Sequence, residues 1–434
     1  MNEISIPIHI KFTFDGEITI VNLSQIIRDL EIEKLILLQF IEKFNEMLTT
    51  ELCGEKYLHG KKEKYERGGK SSRTITTMIG KITFIVDKIR DKLTRNITKP
   101  TLEKLDIKPY KNVQDDVSFT CADIATKSTY RDTNYIMKSF RNESISPSTI
   151  NRELIENGKE IKEFMKKKNK DNEEEMYDYF YGDGTYSHSQ EEGVYKNDVK
   201  VAISVNSQGE KVLLSCDVNK SWNDLSQEIE EVNVLSRDAV LVADAEPELK
   251  NALASSDSNY QLDYLHFIRD IGYKLWQDGG LDLDTRKDLK KQAEKIIYKL
   301  KNQVKKYKKD KESLKKKINE AVDKLKEFHE YLSELGCVKA AKFVKKYSNN
   351  VVTFAILATE GRSIPWNSNI IERLMGEIQK RCKHKWMRWT TQGQESILNL
   401  ILTRYCNPEN YIEFKNEKLK TKNIKNIEIK IKTK

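Results

Sequence analysis

Residues 176–189 read MYDYFYGDGTYSHS, and the fold turns on how that stretch is taken. Tyr177, Tyr179 and Tyr181 alternate with Asp178, Phe180 and Gly182, which is the period of a strand built from residues that favour strands. Gly182-Asp183-Gly184 then carries the composition of a tight turn. The reading is a buried strand that ends there, with Asp183 where the chain leaves the sheet. An acidic residue at the end of a central strand suits a metal-dependent site; it equally suits a plain turn aspartate. Gly182 and Gly184, lacking side chains, would leave room for a phosphate beside the carboxylate.

Downstream, VKVAISV and KVLLSCDV predict two strands joined at Ser207-Gln208-Gly209. A further strand, Ala239–Ala243, ends at Asp244, and Glu246-Pro247-Glu248 opens a helix with acids in its first turn. A short strand near Gln261–Leu265 leads into a helix over Phe267–Trp276. Three strands in hairpin succession, then strand, helix, strand, helix, is the order of a ribonuclease-H-like mixed sheet in an α/β protein, with Asp183 and Asp244 on adjacent central strands. Over 286–347 the pattern changes to Ile297, Leu300, Val304, Tyr307, Lys311, Leu314, Ile318 and Leu325 at 3/4 spacing, which predicts a helical hairpin or short antiparallel coil. Asn369 then caps a helix with Ile370, Ile371, Leu374, Met375 and Ile378 on one face and Glu372, Arg373, Glu377, Lys380 and Arg381 elsewhere. Arg381–Arg388, RCKHKWMR, interleaves Arg381, Lys383, Lys385 and Arg388 with Trp386. Cations beside a ring suit nucleic acid; a Trp-rich core edge is the alternative.

Upstream, Ile4 to Phe14 alternate strictly, Asp15-Gly16 follows, and Ile18 and Ile20 resume, which predicts a hairpin. Asn22 to about Leu52 is helical by period. Lys64, Arg67, Lys70 and Arg73 surround Gly68-Gly69, a flexible stretch suited to a phosphate backbone or simply to solvent, before a second hairpin that turns near Gly80. Between Val117 and Gly158 lie short helices, one beginning at Ser128–Arg131. After a turn at Asn142–Ile145, Ser146 caps the next and Pro147 takes its first position. This is a helix-turn-helix layout whose second helix would turn Ser148, Thr149, Asn151 and Arg152 to a major groove. Residues 159–175 read as a charged linker.

The chain has 434 residues and a formal charge of +9, concentrated in two places. Residues 286–347 hold 21 Lys/Arg against 9 Asp/Glu, and residues 415–434 hold 8 Lys against 2 Glu. The remainder is net acidic. Segregated positive charge suits a polyanionic partner, and it also suits solvated helix faces. The longest apolar run, Val351–Ala358, is too short to span a bilayer. The first residues, MNEISIPIHIKF, lack the layout of a signal peptide. A cytoplasmic, nucleoid-associated protein without a membrane partner is expected. The six cysteines have no paired spacing, and Cys382 with His384 lacks two further ligands, so reduced buried thiols are expected instead of zinc or disulfides.

In the order DGT (183–185), ADAEP (243–247), DYLH (263–266) and NIIER (369–373) with KRCKHKW after it, the chain resembles the DDE transposases of prokaryotic insertion sequences. It is most similar to the Mutator-type branch, whose core carries an α-helical insertion before the last acid. The resemblance implies Asp183, Asp244 and Glu372 as catalytic and metal-ligating acids; Glu377, Asp178 and Asp217 compete as alternatives. Asp263 and His266 match that branch's (C/D)xxH signature, and Arg373 follows the Glu. Two Mg²⁺ or Mn²⁺ ions are implied, about 4 Å apart as in two-metal phosphoryl transfer. The implied partners are double-stranded DNA, as element ends and target, and a second copy in a dimer on paired ends. A relative that binds DNA without cutting it, or a nuclease without strand transfer, would share most of these features. The expected division is an N-terminal α+β region over 1–110, a helix-turn-helix-like region over 111–165, the first part of the core over 176–277, the basic helical insertion over 278–350, the second part of the core over 351–407 and a basic tail over 408–434.

Overall fold

A computed structural model describes residues 4–6, 19–54, 64–141, 144–171, 176–206, 209–232, 234–385 and 387–419. The chain forms two compact units, divided between Leu154 and Ile155 and again between Phe414 and Lys415.

The first unit opens with α1 (Ile20–Asp29) and α2 (Ile32–Cys53). They are two helices where one was expected, because Glu31 adopts a left-handed φ of 48° between them. Of the hairpin expected over residues 4–20, residues 7–18 lie outside the described residues, and Ile20 belongs to α1. The basic glycine stretch is not a loop. It is strand β1 (Tyr65–Thr77), antiparallel to β2 (Gly80–Asp91). Gly68-Gly69 is a bulge in the ladder, with Gly69 at φ 98°. β3 (Ile97–Thr98) extends the sheet, α3 (Pro100–Lys104) follows, and Ile41, Ile75, Ile82, Phe84, Val86 and Ile107 form the core. Next come α4 (Asp115–Ala125), α5 (Tyr130–Arg141) and α6 (Pro147–Asp171), of which residues from Ile155 onward belong to the second unit. Ser146 Oγ accepts the Thr149 amide at 3.1 Å, so the expected cap forms. The stretch read as a charged linker continues α6 as far as Asp171, because Ile161 and Met165 are buried at helical spacing.

The second unit is built on a mixed sheet. β4 (Tyr177–Ser189), β5 (Lys196–Val205) and β6 (Lys211–Val218) run antiparallel in succession. After α7 (Trp222–Val232), β7 (Leu235–Ala243) returns parallel to β4, and after α8 (Pro247–Leu253), β8 (Tyr260–Leu262) lies parallel to β7. The spatial order is β6-β5-β4-β7-β8. α7 was not expected, although Trp222, Leu225 and Ile229 follow a helical spacing and are buried. β4 does not end at Gly182-Asp183-Gly184; it runs on to Ser189. Pairing with β5 continues through Gly182, Asp183 and Gly184 to His188. A Cβ on Gly182 would come within 3.2 Å of Leu253 of α8, so that glycine lets α8 lie close to the sheet, while Gly184 is exposed.

α9 (Tyr264–Asp278) leads into α10 (Leu283–Lys306), α11 (Lys311–Glu334), α12 (Val338–Val351) and α13 (Thr353–Thr359). The expected hairpin is therefore part of a larger helical layer. Leu289, Ile297, Leu314, Leu325 and Val344 belong to one continuous core with Leu241, Tyr260 and Phe267. α14 (Asn369–Cys382), the short β9 (Arg388–Trp389) beside β4, α15 (Thr391–Cys406) and α16 (Pro408–Leu419) complete the chain. Gln394 fastens α15 beneath the sheet, accepting from Ser187 Oγ and Asn197 Nδ2 at 2.8 and 2.9 Å. No described helix is long and apolar enough to cross a membrane.

Candidate active site

Three acids from three elements converge at the end of β7. In the parallel β4–β7 ladder Tyr181 is level with Val242, so Asp183 and Asp244, each two residues further on, come side by side where β7 stops. Tyr260 fixes that end by donating its hydroxyl to the Asp244 carbonyl at 2.5 Å. Glu372 arrives from the first turn of α14. His266, in the first turn of α9, stands among the acids: its Nδ1 is 2.7 Å from Asp244, 3.3 Å from Asp263 and 3.5 Å from Glu372.

Asp263 plays a different part. It is fully enclosed. Its Oδ1 accepts the His266 amide at 2.8 Å, capping α9, and its Oδ2 accepts both the amide and the hydroxyl of Ser368, at the start of α14. One carboxylate therefore fixes the starts of the two helices that carry His266 and Glu372. Ser368, not Asn369, is the residue that precedes α14.

The electrostatics follow from this crowding. Burial, then the charges of Asp244 and Glu372, push Asp183 up to about 7, against the opposing pull of the Gly184 amide and of His266. Burial would discharge His266, but its contacts with Asp244 and Asp263 outweigh that and raise it to about 10. Asp263 is buried as well, yet the donors on His266 and Ser368 hold it below the usual carboxylate range. Asp263, His266 and Glu372 can each offer a ligand atom within 4.8 Å of the others. Because both Asp263 oxygens are already committed to protein donors, Asp183, Asp244 and Glu372 are the better set for a cation. Arg269, one turn beyond His266, places Nη2 3.6 Å from Asp244 Oδ2. Sequence reasoning missed it, although its i+3 relation to His266 was readable.

The other expected residues scatter. Glu377 is held by Lys380 at 2.7 Å, and Arg373 is exposed on α14. Asp217 is buried against Lys220 at 2.7 Å on β6. Arg381 is not a phosphate ligand: it is 2% exposed and its guanidinium stacks 4.8 Å from the Trp389 ring. Trp389 is itself buried and donates to the Cys382 carbonyl, so the core-edge reading holds for it. Trp386 lies outside the described residues. Lys383 is partly exposed, and Lys385 and Arg388 are exposed.

In the first unit, Lys64 and Arg67 pair with Asp91 and Asp87, each at 3.6 Å. Arg73 donates to the carbonyls of Lys108 and Lys111 at 3.0 and 2.8 Å. Arg73 thus secures a loop of its own unit, and Lys70 stays exposed. On α6, the Ser148 and Thr149 hydroxyls join the Ser146 cap at 2.9 and 2.8 Å. Arg152 is exposed but pairs with buried Glu153 at 3.2 Å, and Asn151 is half-buried. Cys121, Cys337, Cys382 and Cys406 are buried, and Cys53 and Cys216 are half-buried.

A search of curated proteins returned no match. The sequence model of the Mutator family of transposases matches residues 22–413. That span takes in the three converging acids and the helical layer between the second and the third, and the chain belongs to the Mutator family of transposases.

Proposed function

We propose that this transposase cuts the ends of its mobile element and joins them to target DNA by metal-dependent phosphoryl transfer, using Asp183, Asp244 and Glu372. The observation that carries the reading is their convergence from β4, β7 and α14, with Asp183 raised to about 7 by burial and then by its acidic neighbours. The donor set fits the group it would hold. Three carboxylate oxygens suit Mg²⁺ or Mn²⁺, and their mutual repulsion is what a divalent cation relieves. Asp183, Asp244 and Glu372 would hold two such ions, whose chemistry would be activation of the attacking oxygen and charge stabilisation at the leaving oxygen.

The chain's own part is positional. Asp263 fixes Glu372 and His266, His266 offsets the negative charge of the acids, and Arg269 presents a cation at their open side. The sheet order and the placing of two acids on adjacent strands support a ribonuclease-H-like core. The succession α4, α5 and capped α6 supports a helix-turn-helix reader of element ends. Action as a dimer on paired ends, at the nucleoid, belongs to the same reading.

The test is Asp183→Asn, Asp244→Asn and Glu372→Gln, each assayed for Mg²⁺- or Mn²⁺-dependent cleavage of DNA carrying the element termini. Each variant should lose roughly 10³-fold in rate while melting near the parent temperature. Three variants that still cut would overturn the assignment.

A further inference from the structure

β4 has one edge that changes partner along its length. On the side away from β5, Tyr177–Tyr181 pair with β7 and His188-Ser189 pair with β9. Between them, residues 182–187 have no strand partner on this side among the described residues, and Gln379 of α14 donates to Thr185 Oγ1 at 3.1 Å. Asp183 lies at one end of this gap. At the other end stands Tyr186, whose ring carries two ammonium groups, Lys196 at 4.0 Å from β5 and Lys383 at 3.9 Å from the end of α14. Arg388, on β9 opposite His188, is exposed nearby, as is Tyr195, 75% exposed beside His188.

Two like charges on one ring repel, and cation–π attraction only partly offsets that. Among the described residues, neither Lys196 nor Lys383 has a carboxylate within ion-pair distance. The pair is therefore an anion site in search of its anion. It is also the opposite in sign of the acid cluster that shares its strand.

We propose that the gap in the β4 edge seats one phosphodiester backbone, with Lys196 and Lys383 held on Tyr186 as a clamp for a phosphate beside the one being cut. This rests on the catalytic reading above and adds where the strand lies. Three residues of strand span about 10 Å, and successive phosphates of one strand follow a helical path longer than the axial rise of about 3.4 Å, so the clamped phosphate is the first or second from the scissile one. Asp183 and Tyr186, an odd number apart, point to opposite faces of the sheet. The contact is accordingly made at the strand edge by the lysine ammoniums, not by stacking on the ring. It reads charge, not sequence.

The experiment uses the full chain and a labelled duplex of arbitrary sequence, with binding followed across a salt series. Each phosphate contact contributes about 0.9 to the slope of log affinity against log salt. Lys196→Gln with Lys383→Gln should lower that slope by about 0.9, so that a fourfold rise in salt costs this variant about 3.5-fold less affinity than the parent. Asp183→Asn should bind with the parent slope. If the lysine variant melts like the parent and keeps the parent slope, the clamp is wrong. Should that variant fail to fold, single neutral methylphosphonates in the DNA, tested on the unaltered protein, locate the contact instead. Weakened binding confined to the first or second phosphate from the cut supports the clamp, and an even or absent effect there overturns it. A parent that binds with the lysine-dependent slope yet never cuts would leave the clamp standing and remove the catalytic reading.

Discussion

The helical layer α10–α12 and the gap beside Asp183 divide the molecule's charge in opposite ways. The layer spans most of the segment with 21 basic residues, and four of its lysines have an acid one turn away, in Lys287–Asp284, Lys291–Asp288, Lys315–Glu312 and Lys317–Glu320. Such exposed i,i+3 pairs are worth a few tenths of a kcal/mol and chiefly keep a polar face in water. Beside Asp183 the charges are few, partly enclosed and unbalanced. Placement, more than number, separates a solvated surface from a site.

That contrast has a sharper form in what each region does for the fold. Leu325 is fully buried on α11 in the core it shares with the sheet, so the layer is scaffold and not an appendage. Leu325→Ala should destabilise residues 155–414 by about 2–5 kcal/mol in one calorimetric transition. Separate melting of the helices would break the comparison by making them a domain of their own. For the same reason, deleting residues 286–347 removes core along with charge and says little about DNA.

A smaller effect is expected from Asp263→Asn, which keeps the shape and removes the charge that holds Ser368 and His266. Groups that orient ligands typically contribute 10- to 100-fold, so the Mn²⁺ concentration for half-maximal cleavage should rise by about that factor. An unchanged metal requirement with lower stability would reduce Asp263 to a cap.

The smallest change should come from Lys291→Gln, Lys295→Gln and Lys299→Gln together, all exposed on α10. Stability should stay within about 0.5 kcal/mol per site. The salt slope should fall by less per charge than it does for Lys196 and Lys383. A larger fall per charge would move the DNA path onto the helices.

Much of the sheet was legible because its strands announce themselves by alternation and by polar turns. The pairing of DGT with ADAEP followed from chain order, and the structure does bring Asp183, Asp244 and Glu372 together. What misled was local chemistry overruled by tertiary packing. Gly182-Asp183-Gly184 has turn composition, but the ladder with β5 runs through it and α8 packs closely on Gly182. Arg381 sits in a basic run, yet the Trp389 ring accounts for its burial, and no spacing rule shows which of several cations will stack. The lysines on Tyr186 come from positions 196 and 383, a juxtaposition that only the folded chain reveals.

Asp263 and Ser368 stand 105 residues apart in the chain, and their bond has a consequence for timing. A chain still on the ribosome can complete β4 and β7, and with them two acids, long before the third acid exists. Only after the helical layer has been made and packed does Ser368 reach Asp263 and bring Glu372 into place. Products truncated within that layer would carry two of the three acids, and the site is completed only once the helical layer is in place.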